Sequence, residues 1–405
     1  MSKRHIADLA ILGGTPEFAE TIHVGRPNIG DKALLIERFA AVIDSGRLTN
    51  AGPQVQEFER RICEMVGVRH CVSVCNATVG LELLIRALGL TGEVIVPSLT
   101  FIATAHALQW QEITPVFCDV GRDDYLIDTA AVEKMITPRT TGIIGVHLWG
   151  RPCDVEALQA IADRHRLKLM FDAAHAYGVS YRGRSVGSFG AAEVFSFHAT
   201  KFVNSFEGGA ITTNDDELAA RLRLMRNFGF SDYDKVIYIG TNGKLPEISA
   251  AMGILSLDSI DGFVAANRRN YDIYTAELSS LPGVRVMAYD RAQRNNFQYV
   301  VIEIDAEAAG LSRDAVMRAL HAENVLARRY FYPGCHRMEP YRSHFPHAGL
   351  LLGNTEDILE RVLTLPTGTA MSADDVRRVC ALLRLMLTAD AADKRTLADR
   401  CSAAD

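Results

Sequence analysis

The stretch SFHATKFVNSFEGGAITTND, residues 196–215, sets Lys201 between two apolar runs that read as strands. A lysine held out of water there has an amine that attacks carbonyls and serves as a base. Asp172 closes the run KLMFD, and His175 follows three residues later. A carboxylate at the mouth of a buried strand needs a cationic partner or a shifted pKa. A helix N-cap for Asp172 and a satisfied core histidine for His175 are equally good readings of that motif alone. In CVSVCNATVGLELL a strand ends at Asn76 and a helical pattern starts at once, so free backbone N–H groups and the Thr78 hydroxyl stand where a phosphate could be held. Ordinary capping explains the same residues.

An amine, a carboxylate and an anion cradle on one sheet together suit pyridoxal phosphate. That cofactor needs a lysine for its Schiff base, an acid for its pyridine nitrogen and a seat for its phosphate. His147 and His198 share no metal-ligand spacing with each other or with His175, so no metal site is expected.

The elements that must position these groups begin near residue 70. Short β-branched runs (HCVSVCN, EVIVPS, TPVFCDV, TGIIGVHL, LKLMFDAA) alternate with helical patterns. Strands apolar on both faces, separated by amphipathic helices, specify an α/β fold with a mostly parallel sheet covered on both faces. Texture changes after residue 215, and the chain divides into a large α/β domain over 1–264, a smaller C-terminal α+β domain over 265–388 and a polar tail over 389–405, expected to fray. A long helix is expected to join the two domains.

At 405 residues, with 48% hydrophobic and 23% charged residues, the chain has the composition of a folded globular protein. The net charge of -6 offers no basic surplus, which argues against nucleic acid and for a small-molecule substrate. Its eight cysteines include no C-x-x-C pair and read as reduced thiols in a cytoplasmic protein. Neither the N-terminus nor the uncharged run 94–110 reads as a signal peptide or a membrane span.

The blocks GRLTNAGPQVQEFE, CNATVGLELLIRALGL, VIVPSLTFIATAHAL, FDAAHAYG, SFHATKFVNSFEGGAITTND and TNGKLPEISAAMG resemble, in order, those of the DegT/DnrJ/StrS nucleotide-sugar aminotransferases, which have the aspartate aminotransferase-like fold. The versions LTNAGP, FDAAHAYG and NSFEGG look most like the enzymes that aminate C-4 of a dTDP-linked 4-keto-6-deoxyglucose in antibiotic sugar pathways. The resemblance implies that Lys201 binds the cofactor and shuttles the proton, with Asp172 on the pyridinium nitrogen and Phe101 stacked on the ring. It makes Ser196, Thr78 and the neighbouring amide of Val79 phosphate holders. It also brings Asn242 to the phosphate from a partner subunit, and so implies a homodimer. His175 stands where many members have glutamine, a change at the contact to the cofactor's ring hydroxyl. Tyr330, Tyr332 and His336, in ARRYFYPGCHRMEPY with Arg328 and Arg329, fall near the sugar site by the same resemblance.

The expected reaction moves an amino group from L-glutamate or glutamine to the keto sugar, giving dTDP-4-amino-4,6-dideoxyglucose. A related dehydratase carries histidine at the lysine position, so Lys201 favours amino transfer over deoxygenation. Amination at C-3 of a 3-keto sugar and a non-catalytic cofactor-binding regulator on the same fold are the alternatives.

Overall fold

The computed structural model describes residues 3–402. Its main sheet has seven strands: β1 (His70–Val74), β2 (Glu93–Pro97), β3 (Thr114–Cys118), β4 (Thr140–Val146), β5 (Lys168–Asp172), β6 (Glu193–Ser196) and β7 (Gly209–Thr213). They lie in the order β1-β7-β6-β5-β4-β2-β3, with β7 antiparallel to both neighbours and the other six strands running in one direction. The alternation of side chains explains the double-sided apolar runs. Ile95, Ile143, Leu169 and Phe171 enter one core, whereas Val94, Val96, Ile144 and Met170 enter the core on the opposite face. Helices cover both faces, as the sequence pattern requires.

A third core lies beyond residue 260. Three antiparallel strands, β8 (Val284–Val286), β9 (Val300–Ile304) and β10 (Val362–Leu365), pack Val300, Ile302, Leu363 and Leu365 against helices 313–322 and 373–387. The expected joining helix is two: Glu247–Asp258 and Ile260–Leu278, bent by 61° at Ser259. The second buries Phe263 among the large-domain residues and Tyr271, Tyr274 and Leu278 in the third core, so one helix belongs to both.

Two segments depart from the expected division. The N-terminal residues Ile6, Leu9, Phe18 and Ile22 join the third core, and Ile22–His23 pairs in parallel with Val325–Leu326. A buried carboxylate ties them there: Glu323 accepts hydrogen bonds from the backbone amides of Ala10 and Glu17, each at 2.7 Å, and pairs with Lys3 at 2.9 Å. The tail is a helix, Ala391–Ser402, because Leu397 and Cys401 fall four apart and both bury on helix 313–322 and its neighbours. All eight cysteines are free, and no single helix among the described residues is long and apolar enough to cross a membrane.

Candidate active site

In a sheet of this kind, groups that close the strands converge on one edge. Asp172 ends β5 with 5% of its surface exposed. Its Oδ1 accepts from the Ala174 amide at 3.1 Å and its Oδ2 from the Thr104 hydroxyl at 2.8 Å, while Thr104 lies 3.0 Å from the hydroxyl of Thr100. Asp172 is therefore not a helix N-cap. Burial raises its pKa above the usual carboxylate range, and the Ala174 amide, the Thr104 hydroxyl and the charge of Lys201 pull it back. A cation against this carboxylate would be strongly favoured.

Lys201 sits on the loop after β6, where the Lys201 amide donates to His198 O at 2.8 Å. The Nζ reaches the Tyr299 hydroxyl at 3.5 Å. Burial pushes its pKa down to about 8, and Asp172 offsets part of that fall. Loss of water, with no help from neighbouring positive charge, brings a fraction of this amine into the neutral, basic form near physiological pH.

His175 is buried, and its Nδ1 accepts from the Trp149 amide at 3.2 Å, which leaves the proton on Nε2. Burial lowers its pKa well below the ordinary histidine value, so the ring is neutral. Trp149 presents that amide from a left-handed backbone, φ 53°, a conformation that costs a bulky residue about 1 kcal/mol or more. The His175 ring lies parallel to Phe331 at 5.7 Å and 4.7 Å from Tyr299. Phe101, half exposed at the start of helix 103–109, stands 5.9 Å from Phe331.

At the edge of the sheet Asn76 caps helix 77–87, its side chain accepting from the Val79 amide at 2.9 Å. Val79 is thereby removed from the expected phosphate holders, since its donor is in use. The amides of Ala77 and Thr78 occupy the first turn, where a helix has no internal acceptor for them. Gly209 pairs with both Val74 and Ser196, and a Cβ there would come within 2.8 Å of the Ala77 nitrogen. Glycine there lets the strand backbone pass close against the helix N-terminus, which sets Ser196 on the neighbouring strand near those amides. The amide, hydroxyl, carboxylate and amine groups thus fit the parts of pyridoxal phosphate.

Of the remaining candidates, Tyr330 belongs to this cluster: it stacks on Phe331 at 4.9 Å and lies 6.4 Å from Tyr299, with Arg328 over its ring. Tyr332 and His336 do not. Tyr332 lies between the guanidinium groups of Arg313 and Arg329, at 5.2 and 4.3 Å. His336 is buried, with Nδ1 2.7 Å from the Ser98 hydroxyl and Nε2 2.7 Å from Glu356, so both ring nitrogens are engaged by protein groups. Asn242 is exposed at the base of the 227–243 arm, bridged to Asn227. Phe228, Phe230, Tyr233, Val236, Ile237 and Ile239 are exposed on the same arm.

Four features escaped sequence reasoning. Tyr299 and Phe331 wall the site, and neither looks special in its apolar surroundings. Asn28 is a buried latch: its Nδ2 donates to Phe202 O at 3.2 Å, its Oδ1 accepts from the Thr369 amide at 3.1 Å and hydroxyl at 3.0 Å, and its carbonyl accepts from Asn204 Nδ2 at 2.6 Å. Behind the floor, fully buried His147 accepts from the Cys153 amide through Nδ1 at 3.0 Å and donates through Nε2 to Glu193 at 3.0 Å. Its amide donates to Asp172 O at 3.0 Å, and its ring stacks on Phe171 at 4.8 Å. A charged residue opening the otherwise apolar strand EVFS was the one available signal for Glu193.

Residues 30–384 match the DegT/DnrJ/EryC1/StrS aminotransferase family. The chain belongs to that family. It is an aminotransferase, and membership implies pyridoxal phosphate as its cofactor. A curated Escherichia coli relative, dTDP-4-amino-4,6-dideoxy-D-glucose transaminase, is 35% identical over 367 residues, 90% of this chain and 98% of the relative. The crystal structure of DesI in the presence of its TDP-sugar product superposes with a TM-score of 0.92 at 52% identity, covering 96% of this chain and 99% of that one. Helicobacter pylori PseC, an aminotransferase involved in the biosynthesis of pseudoaminic acid, gives 0.84 at 27% identity over 90% of this chain and 99% of its own.

Proposed function

We propose that this aminotransferase transfers an amino group from L-glutamate or glutamine to C-4 of a dTDP-linked 4-keto-6-deoxy-hexose, giving dTDP-4-amino-4,6-dideoxyglucose. The observation that carries the substrate is the 52% identity, over 96% of the chain, with DesI, whose crystal structure was determined in the presence of its TDP-sugar product. The name of the Escherichia coli transaminase supports the same position on the sugar.

The chemistry follows from the floor of the site. Pyridoxal phosphate, when bound, supplies a carbonyl that exchanges for an amine and an electron sink that acidifies the adjacent carbon. Asp172 would hold the proton on its ring nitrogen, oriented by the Thr104 hydroxyl and Ala174 amide. Ser196 with the Ala77 and Thr78 amides would hold the phosphate, Phe101 would cover a ring face, and the Nε2–H of His175 would donate to the ring hydroxyl. Lys201 Nζ would carry the proton from the substrate carbon to the cofactor's C4′ carbon, and back in the other half-reaction. A pKa lowered to about 8 leaves a useful fraction of neutral amine at pH 7 and lets the protonated form give the proton back. The Tyr299 hydroxyl, at 3.5 Å, accepts from that amine and would help to orient it.

We further infer a cytoplasmic homodimer of antibiotic sugar biosynthesis, in which the apolar arm of residues 227–243 is covered by the partner and Asn242 reaches the partner's phosphate cradle. The exposed aromatic and branched side chains of that arm support this reading. The deciding experiment incubates holoenzyme with L-glutamate and the dTDP-4-keto sugar and identifies the product by mass and proton NMR. An equatorial C-4 amine is expected; turnover of a 3-keto sugar in its place would move the reaction to C-3.

A further inference from the structure

A cleft opens beside Lys201 between the N-terminal loop, the lysine loop and the third core. Arg26, Thr200, Lys201, Asn267, Gln298 and Thr367 line it, and no aspartate or glutamate does. Its two charged side chains are both cationic. Arg26 is exposed at the mouth and makes no side-chain hydrogen bond or ion pair among the described residues, in contrast with Arg226 and Arg313, whose guanidiniums are held by buried acceptors. Its backbone is nevertheless fixed, because Asn28, two residues on, is hydrogen-bonded to both the lysine loop and Thr369. A free guanidinium on a fixed loop is a preorganised seat for a carboxylate, which it grips with two parallel N–H donors. Deeper in, Asn267 is 1% exposed, and while its Nδ2 donates to Asn296 O at 3.0 Å, its Oδ1 has no partner. An acceptor left this way calls for an N–H or O–H donor.

A ligand with a carboxylate for Arg26 and an N–H group for the interior matches both features, and it would present its amine beside Lys201. We propose that this cleft receives the amino-acid donor, with a donor carboxylate seated on Arg26. The assignment rests on the aminotransferase reading and deepens it; it is independent of which sugar is aminated.

The test follows the donor half-reaction alone: holoenzyme is mixed with L-glutamate and the change in cofactor absorbance is recorded against donor concentration. Arg26→Met should raise the half-saturating concentration about tenfold or more, as loss of a charge-assisted pair implies, and Arg26→Lys should recover part of it. Calorimetric titration of the holoenzyme with 2-oxoglutarate, which needs no turnover, should weaken by a similar factor. The KM for the keto sugar serves as the comparison and should move by less than about twofold. The proposal is overturned if donor half-saturation and 2-oxoglutarate affinity both stay within about twofold of the parent, or if the keto-sugar KM rises in step with the donor's. Holoenzyme that reacts with L-glutamate but aminates no nucleotide keto sugar would sink the substrate reading and leave the Arg26 comparison measurable.

Discussion

The floor and the rim of the active site are built in opposite ways. The floor is local. Asp172 and Ser196 close the neighbouring strands β5 and β6, and Lys201 follows within five residues. Helix 77–87 starts three residues beyond β1. The rim is assembled from remote pieces: Arg26 and Asn28 from the N-terminal loop, Tyr299 from the start of β9, Phe331 from the third core and Thr369 from beyond β10. Reactive groups therefore inherit rigidity from a seven-stranded sheet, whereas the groups that shape entry depend on how two cores are held together. Floor substitutions should strike kcat, and rim substitutions KM and stability.

Lys201→Ala should show the largest effect, a loss of turnover of roughly 10⁴-fold or more with the thermal midpoint preserved; turnover near the parental rate would remove Lys201 from its role. Asp172→Asn should lower kcat by roughly 10² to 10³-fold, because the amide keeps the shape but not the charge. The two also differ in their pH behaviour. In the cofactor-free chain, capture of an aldehyde by Lys201 should speed up as pH rises and level off above about 8, since the neutral amine is the nucleophile and burial has brought its pKa down from 10.5. Asp172 raises that pKa, so Asp172→Asn should shift the midpoint below the parental one. An unchanged midpoint would mean that the two side chains do not sense each other.

On the rim, Asn28→Ala removes three side-chain hydrogen bonds and should cost about 1–3 kcal/mol in chemical denaturation, with a smaller fall in kcat than Asp172→Asn. Equal falls in kcat would erase the distinction between floor and rim. Tyr332→Phe should be the mildest change, with the keto-sugar KM held within about twofold, because its ring lies between Arg313 and Arg329 rather than against the site. A large rise in KM would return Tyr332 to the substrate.

This contrast also explains what the sequence could disclose. Val94 to Val96 and Leu169 to Phe171 alternate between two buried faces, so the sheet reads as a series of apolar runs, and polar residues at their ends stand out. Lys201, Asp172 and Thr78 were visible for that reason. Asn28 had no such signal, because its partner Thr369 lies 341 residues away and nothing near Asn28 marks the meeting. His336 misled for the same cause: beside arginines and tyrosines it resembles a ligand contact, but Ser98, 238 residues back, and Glu356 had already engaged it. The N-terminal segment gave no hint of Glu323, whose carboxylate draws it into the third core.

The Asn28 latch also sets an order of events for the chain leaving the ribosome. Residues 3–28 emerge first, yet their acceptors and donors at Glu323 and Thr369 are made last. A chain interrupted before residue 369 has its lysine, its carboxylate and its whole parallel sheet, but no closure over them. Completion of synthesis and completion of the active site are, for this molecule, nearly the same moment.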